Sequence, residues 1–192
     1  MSNTLDINDY QNLTRATRAE PAVSYESVFP NLKSVLQQCM DAVYSGHGMD
    51  AVKRALFYKD QSLEPRLKKA MAEMEDMYKA IAAFPEDAVI PTDKIDLLHA
   101  ILGLQSESGE LMNELINSIL EDRPVNTLNI REELGDTMWY TSLGIDSIQS
   151  TFGETGYYNI EKLKVRYPNK FNTFDAVNRN LEQEQTALSS NA

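Results

Sequence analysis

One cysteine, Cys39, stands among 192 residues, so no internal disulfide can staple the fold. No run approaches the ~18 apolar residues of a membrane-spanning helix. Met1-Ser2-Asn3-Thr4-Leu5-Asp6 lacks the basic and apolar regions of a secretory signal. Together these absences point to the cytoplasm. Positive charge is scarce: 18 Lys and Arg against 29 Asp and Glu leave a net charge of -11. A duplex-binding protein carries a basic footprint, so neither a nucleic-acid duplex nor a membrane is an expected partner. Alternating β-branched stretches bounded by turns are nearly missing, which argues against sheets.

Helix signals fill the chain instead, and 192 residues suffice for one sizeable helical domain. Asp6 is a candidate N-cap for a first helix from Ile7 to about Glu20. The segment from Pro21 to Pro91 reads as three helices, near Asn31–Tyr44, Met49–Tyr58 and Glu64–Phe84. Ser45-Gly46-His47-Gly48 marks the break between the first two. A long helix runs from Thr92, a candidate cap, to about Glu121, and Asp122-Arg123-Pro124 ends it. Further helices follow over Leu128–Thr151, Gly156–Tyr167, where Pro168 stops the turn, and Thr173–Glu184. The polar residues 185–192 read as a mobile tail.

At 100° per residue, Leu97, Leu104, Leu111, Leu115 and Ile119 share one arc of the long helix, with Ile101 at its edge. Glu107, Glu110 and Glu114 fall on the adjoining arc. On the next helix Ile130, Leu134, Met138, Thr141, Ile145 and Ile148 form the arc expected to be buried, and Glu133, Asp136 and Tyr140 flank it. Glu-x-x-Glu and Glu-x-x-Asp thus sit on helices that an antiparallel return brings face to face. Facing carboxylates repel one another unless a cation lies between them. A hard divalent ion such as Mg²⁺ suits oxygen ligands and leaves positions for phosphate oxygens. Iron fits less well, because neither helix carries Glu-x-x-His. Asn159, Lys162 and Arg166 share one face of the third helix and could neutralise phosphates. Each signal alone is commonplace, since carboxylate pairs on amphipathic helices usually border solvent and acidic surfaces usually serve solubility. Their order on successive helices is what distinguishes them.

That order resembles a known family. The run His99-Ala100-Ile101-Leu102-Gly103-Leu104-Gln105-Ser106-Glu107-Ser108-Gly109-Glu110-Leu111 is similar to the first motif of the MazG-like all-α nucleoside triphosphate pyrophosphohydrolases. Glu132-Glu133-Leu134-Gly135-Asp136-Thr137-Met138-Trp139-Tyr140 resembles the second, and Asn159-Ile160-Glu161-Lys162-Leu163-Lys164-Val165-Arg166-Tyr167-Pro168 the third. Asn8-Asp9-Tyr10-Gln11 resembles the opening helix of small members. The resemblance covers about residues 5–17 and 95–179.

The resemblance implies a four-helix-bundle-type fold in a single domain over 1–184, with residues 92–180 as the catalytic helices. It implies cleavage of a (d)NTP between the α- and β-phosphates, with Mg²⁺, or Mn²⁺ in its place, as cofactor. Glu107, Glu110, Glu133 and Asp136 would hold metal, and Glu110 or Glu133 would act as base. Asn159, Lys162 and Arg166 would bind phosphate. Tyr10, Gln11, Thr14, His99 and Tyr140 are the candidates for base recognition. A homodimer or homotetramer is expected. Two features depart from the family pattern: Ser106 stands where many members have glutamate, and residues 21–91 form a helical insertion. Related substrates (dUTP, dCTP, phosphoribosyl-ATP, ppGpp) and a non-catalytic interaction module remain the alternatives.

Overall fold

The computed structural model describes residues 5–18, 32–85 and 87–189. Among them the chain is entirely helical, with no strand: α1 (Ile7–Thr17), α2 (Leu32–Tyr58), α3 (Leu63–Ala82), α4 (Thr92–Leu120), α5 (Thr127–Ser147), α6 (Phe152–Arg166), α7 (Thr173–Val177) and α8 (Leu181–Ser189). None of these helices is long and apolar enough to cross a membrane. The chain forms two compact units, Met1–Ala22 with Ile90–Gly156, and Val23–Val89 with Tyr157–Ala192. The boundary falls inside α6.

The first unit is built on the α4–α5 hairpin, with α1 packed against α5. Asp6 caps α1 as expected, its side chain accepting from the Asn8 amide at 2.8 Å. The end foreseen near Glu20 lies outside the described residues. Thr92, foreseen as a cap, is the first helical residue of α4 after Pro91. The turn between α4 and α5 contains Asp122 at φ 49, a left-handed conformation that aspartate tolerates better than most residues. Glu114 holds this turn. It accepts two bonds from the Arg123 guanidinium, at 2.7 and 3.0 Å, and one from the Asn126 amide at 2.6 Å. Those bonds, the arginine's first, hold its carboxyl down at about 2.

Close approach of the hairpin rests on Gly103. The Tyr140 ring lies where a side chain would begin, and a Cβ there would come within 2.2 Å of it. Farther along, the Ala100 Cβ would lie 3.5 Å from a Cβ on Gly144. Gly103→Ala therefore has to expel the ring. The expected cost is about 1–3 kcal/mol, typical of overpacking, measured by urea unfolding. Adding Tyr140→Ala should recover part of it, as neighbouring sites couple.

Of the apolar arcs expected from helical periodicity, Ile145 is buried, but most of the other members are not. Leu97, Leu115 and Ile119 on α4, and Leu134, Met138 and Ile148 on α5, are exposed. The faces that pack are Ala100, Gly103, Glu107, Glu114 and Ser118 on α4, and Glu133, Ser142, Leu143 and Ile145 on α5. Small residues on this face let the backbones approach, and most of the larger apolar side chains, Leu143 and Ile145 excepted, are left outside.

In the second unit, α2 runs unbroken through Ser45-Gly46-His47-Gly48, where a break was expected. Neither Gly46 nor Gly48 has positive φ, and a Cβ on either would meet nothing. Each glycine costs only ~1 kcal/mol against alanine. The buried Met40, Ala51 and Arg54 share one face across the glycines, so packing outweighs that cost. Residues 185–189, expected in a mobile tail, belong to α8. The helix expected over Thr173–Glu184 is two short helices, α7 and α8.

Candidate metal centre

Glu107 and Glu110 lie three residues apart on α4, so they project from neighbouring positions of one face. Glu133 meets them from α5. One carboxylate oxygen of each lies within 4.8 Å of the others. Glu107 and Glu133 are 9% and 6% exposed, while Glu110 opens to solvent. Asn129, one turn before Glu133, donates its Nδ2 to Glu133 Oε1 at 2.7 Å. The Ser106 hydroxyl lies 2.9 Å from the Gly103 carbonyl and 3.2 Å from Glu107 Oε1.

Burial pushes the Glu133 carboxyl above its ordinary value, and the charges of Glu107 and Glu132 add to this. The Asn129 bond pulls the other way. What distinguishes the cluster is the lack of a countercharge. Among the described residues no lysine or arginine pairs with Glu107, Glu110 or Glu133. Four cations of the same unit are engaged elsewhere, Arg15 on Asp146, Arg18 on Asp96, Lys94 on Asp93, and Arg123 on Glu114 and Glu121, while Arg131 is exposed and forms no ion pair with the three. Oxygen-only donors on facing helices, two of them largely buried and none neutralised, fit a hard divalent cation such as Mg²⁺ or Mn²⁺.

No protein-family model, curated protein or solved structure matches this chain.

Asp136, the fourth expected ligand, is exposed and outside the three-carboxylate cluster. Its charge acts on Tyr10, whose hydroxyl is pushed up by burial first and by Asp136 second. Tyr10 donates to the Gly135 carbonyl at 3.3 Å. Gln11 is buried, with Nε2 on Asp146 Oδ1 at 2.7 Å and on the Ser150 carbonyl at 3.1 Å. Its Oε1 accepts from the Phe152 amide at 3.3 Å. Thr14 Oγ1 lies 2.6 Å from Ser142 Oγ and donates to the Gln11 carbonyl at 2.9 Å. The structure thus places Gln11 and Thr14, both candidates for base recognition, in the contact that fixes α1. His99 is exposed and meets Trp139 and Tyr140 edge-on, at ring separations of 6.0 and 5.6 Å. Trp139 Nε1 donates to Thr17 Oγ1 at 2.8 Å.

Asn159, Lys162 and Arg166 belong to the second unit. Asn159 is exposed and Lys162 half-buried. Arg166 is engaged: its Nε and Nη2 donate to Glu184 at 2.9 and 2.7 Å, and Arg179 binds the same carboxylate at 3.2 and 2.6 Å. These two arginines hold Glu184 down from an ordinary 4.5 to about 2. A carboxyl depressed on folding stabilises fully above its unfolded value and loses that contribution as pH falls toward its folded value. Between pH ~4.5 and ~2 the wild type should therefore lose more stability than Glu184→Gln, a difference readable by thermal melts across that range.

Sequence reasoning missed three participants. Asn129 is the most useful, and its spacing of four residues from Glu133 on one helix was a visible signal. Ser106 was noted as a departure, not as a donor beside Glu107. Glu184 gave no signal, because its partners come from α6 and from the segment before α8.

Proposed function

We propose that the chain is a Mg²⁺-dependent nucleotide pyrophosphohydrolase that converts a (d)NTP to a (d)NMP and pyrophosphate. The observation that carries this reading is the convergence of Glu107, Glu110 and Glu133 without a countercharge. The sequence likeness to the MazG-like enzymes supports the reaction class and a four-helix-bundle-type architecture. Glu107, Glu110 and Glu133 would hold the cation, with Asp136 assigned by likeness alone. A divalent cation there supplies positive charge opposite the phosphate oxygens and acidifies water.

The protein's own groups do the rest. Glu133, with its affinity for a proton raised by burial, is the base we assign to the attacking water, with Glu110 as the alternative. Asn129 fixes which oxygen of Glu133 stays available. The likeness gives phosphate binding to Asn159, Lys162 and Arg166, and nucleobase contact to Tyr10, His99 and Tyr140. A non-catalytic helical module is the second reading, and the bonds that tie Arg166 to Glu184 favour it.

The test is a panel of dNTPs and NTPs, with dUTP, dCTP, phosphoribosyl-ATP and ppGpp included, incubated with the full chain and Mg²⁺. Metal-dependent release of pyrophosphate from at least one triphosphate is expected. Release of orthophosphate instead, or no turnover of any member, overturns the assignment, and the second outcome favours the non-catalytic module.

A further inference from the structure

Glu184 is the one buried residue of α8. No apolar side chain of that helix is buried, and Leu181 at its start is 63% exposed. Four hydrogen bonds to a single carboxylate anchor it instead. Arg166 donates Nε and Nη2 at 2.9 and 2.7 Å, and Arg179 donates the same two groups at 3.2 and 2.6 Å. We propose that Glu184 is an internal surrogate for a phosphate group: it occupies Arg166 and Arg179 until the phosphate chain of a nucleotide exchanges for it and releases α8. This deepens the hydrolase reading, on which it rests for the role of Arg166, and makes that arginine a regulated one.

The geometry is that of an anion clamp. Nε of each arginine takes Glu184 Oε1, and Nη2 of each takes Oε2. This edge of a guanidinium is the fork that matches carboxylate and phosphate oxygens alike. Two arginines against one carboxylate leave one positive charge over. The side chains of Glu184, Arg166 and Arg179 are 5%, 15% and 34% exposed, so water screens that charge poorly. A phosphate group carries about -1.5 to -2 at neutral pH, and it compensates the pair better than a carboxylate does.

Room for the exchange lies beside the pair. A cavity of about 200 Å³ opens against Arg166, Arg179 and Glu184, with Asn178, Asn180 and Gln183 among its polar walls. At ~30 Å³ per water, it holds a phosphate group with waters around it. The amide side chains can donate to phosphate oxygens that the arginines do not reach. Asp175 lines the cavity too, but its carboxylate accepts from the Asn172 side chain and pairs with neither arginine. Displacing Glu184 removes the only buried tie of α8. The fraction of chains with the arginines free then sets the apparent affinity for the anion.

The test is calorimetric titration of pyrophosphate, which carries the same groups, into the full chain, with EDTA present so that the metal centre takes no part. Glu184→Gln keeps the shape and drops the charge. It is expected to bind roughly tenfold more tightly than the wild type, and adding Arg166→Ala should remove the gain. A folded Glu184→Gln that binds no more tightly overturns the proposal and leaves Glu184 a structural tie. Because that variant can fail to fold, the wild type supplies a second readout. Amide hydrogen exchange across residues 181–189 should quicken when pyrophosphate is added, since α8 is let go. Exchange there that is unchanged or slowed overturns the proposal as well. Neither measurement involves turnover. A chain that passes both and hydrolyses no nucleotide loses the hydrolase reading alone, and one that hydrolyses a triphosphate with α8 held fast loses this proposal alone.

Discussion

Glu133→Gln is expected to lower metal-dependent turnover by roughly 10²–10⁴-fold while leaving the helical content intact. The substitution keeps size and hydrogen-bonding shape, and it removes one charge from the only carboxylate that α5 brings to Glu107 and Glu110. It also removes a carboxylate whose affinity for a proton is raised by burial. A structural role for Glu133 predicts lost stability along with lost turnover, whereas a catalytic role predicts no loss of stability. Neutralising a largely buried acid beside Glu107 relieves repulsion, so stability should hold or rise. The pair of readouts, turnover falling and stability holding, separates catalysis from scaffolding. Asn129→Ala should cost about 10–100-fold through the same carboxylate, since the Asn129 side chain donates to Glu133.

The second large effect lies in the insertion. Asp60 is buried at the end of α2 and accepts from Arg54 Nε at 2.9 Å, from Arg66 Nε at 3.0 Å and from the Ser62 amide at 2.9 Å. Arg54 is buried as well and reaches the Ala176 carbonyl at 3.0 Å. One carboxylate therefore ties α2 to the start of α3, and through Arg54 to α7. Asp60→Ala strands a buried guanidinium, and removing one partner of a buried pair costs about 3–5 kcal/mol. The lower end, about 3 kcal/mol, is expected here, because Arg66 stands partly in solvent, with 39% of its side chain exposed. Ser62's bonds, with burial opposing them, hold the Asp60 carboxyl well below its ordinary 3.8. Its contribution is thus present above that value and lost below it. Denaturant unfolding at neutral pH checks the magnitude. The deficit of the variant should shrink in acid, where wild-type Asp60 also takes up a proton.

The helical class and the α4–α5 hairpin were legible in the sequence, because carboxylate and apolar positions recur at helical spacing and Asp122-Arg123-Pro124 interrupts them. The convergence of Glu107, Glu110 and Glu133 followed from the same arithmetic. Asp136 did not join them: it is exposed and lies outside the group of three. Periodicity told which side of each helix is apolar but not what covers it. Leu115 and Leu134 were read as core on that basis, and they are exposed. The packing face was instead marked by small residues, Ala100, Gly103 and Gly144, whose role is visible only once the Tyr140 ring is seen over Gly103. In α2 the glycines looked like a break because local propensity is the only signal a sequence carries there, and tertiary packing outweighs it. The Glu184 network joins residues of three separate segments, so no local pattern announces it.

Electron paramagnetic resonance of Mn²⁺ titrated into the full chain, in parallel with Glu133→Gln, puts the central claim to its most direct test. Saturable uptake by the wild type, displaced by Mg²⁺ and lost or weakened at least tenfold in the variant, is the expected result. Wild-type protein that takes up no Mn²⁺, or a variant that binds it equally well, would contradict a cation held by Glu107, Glu110 and Glu133.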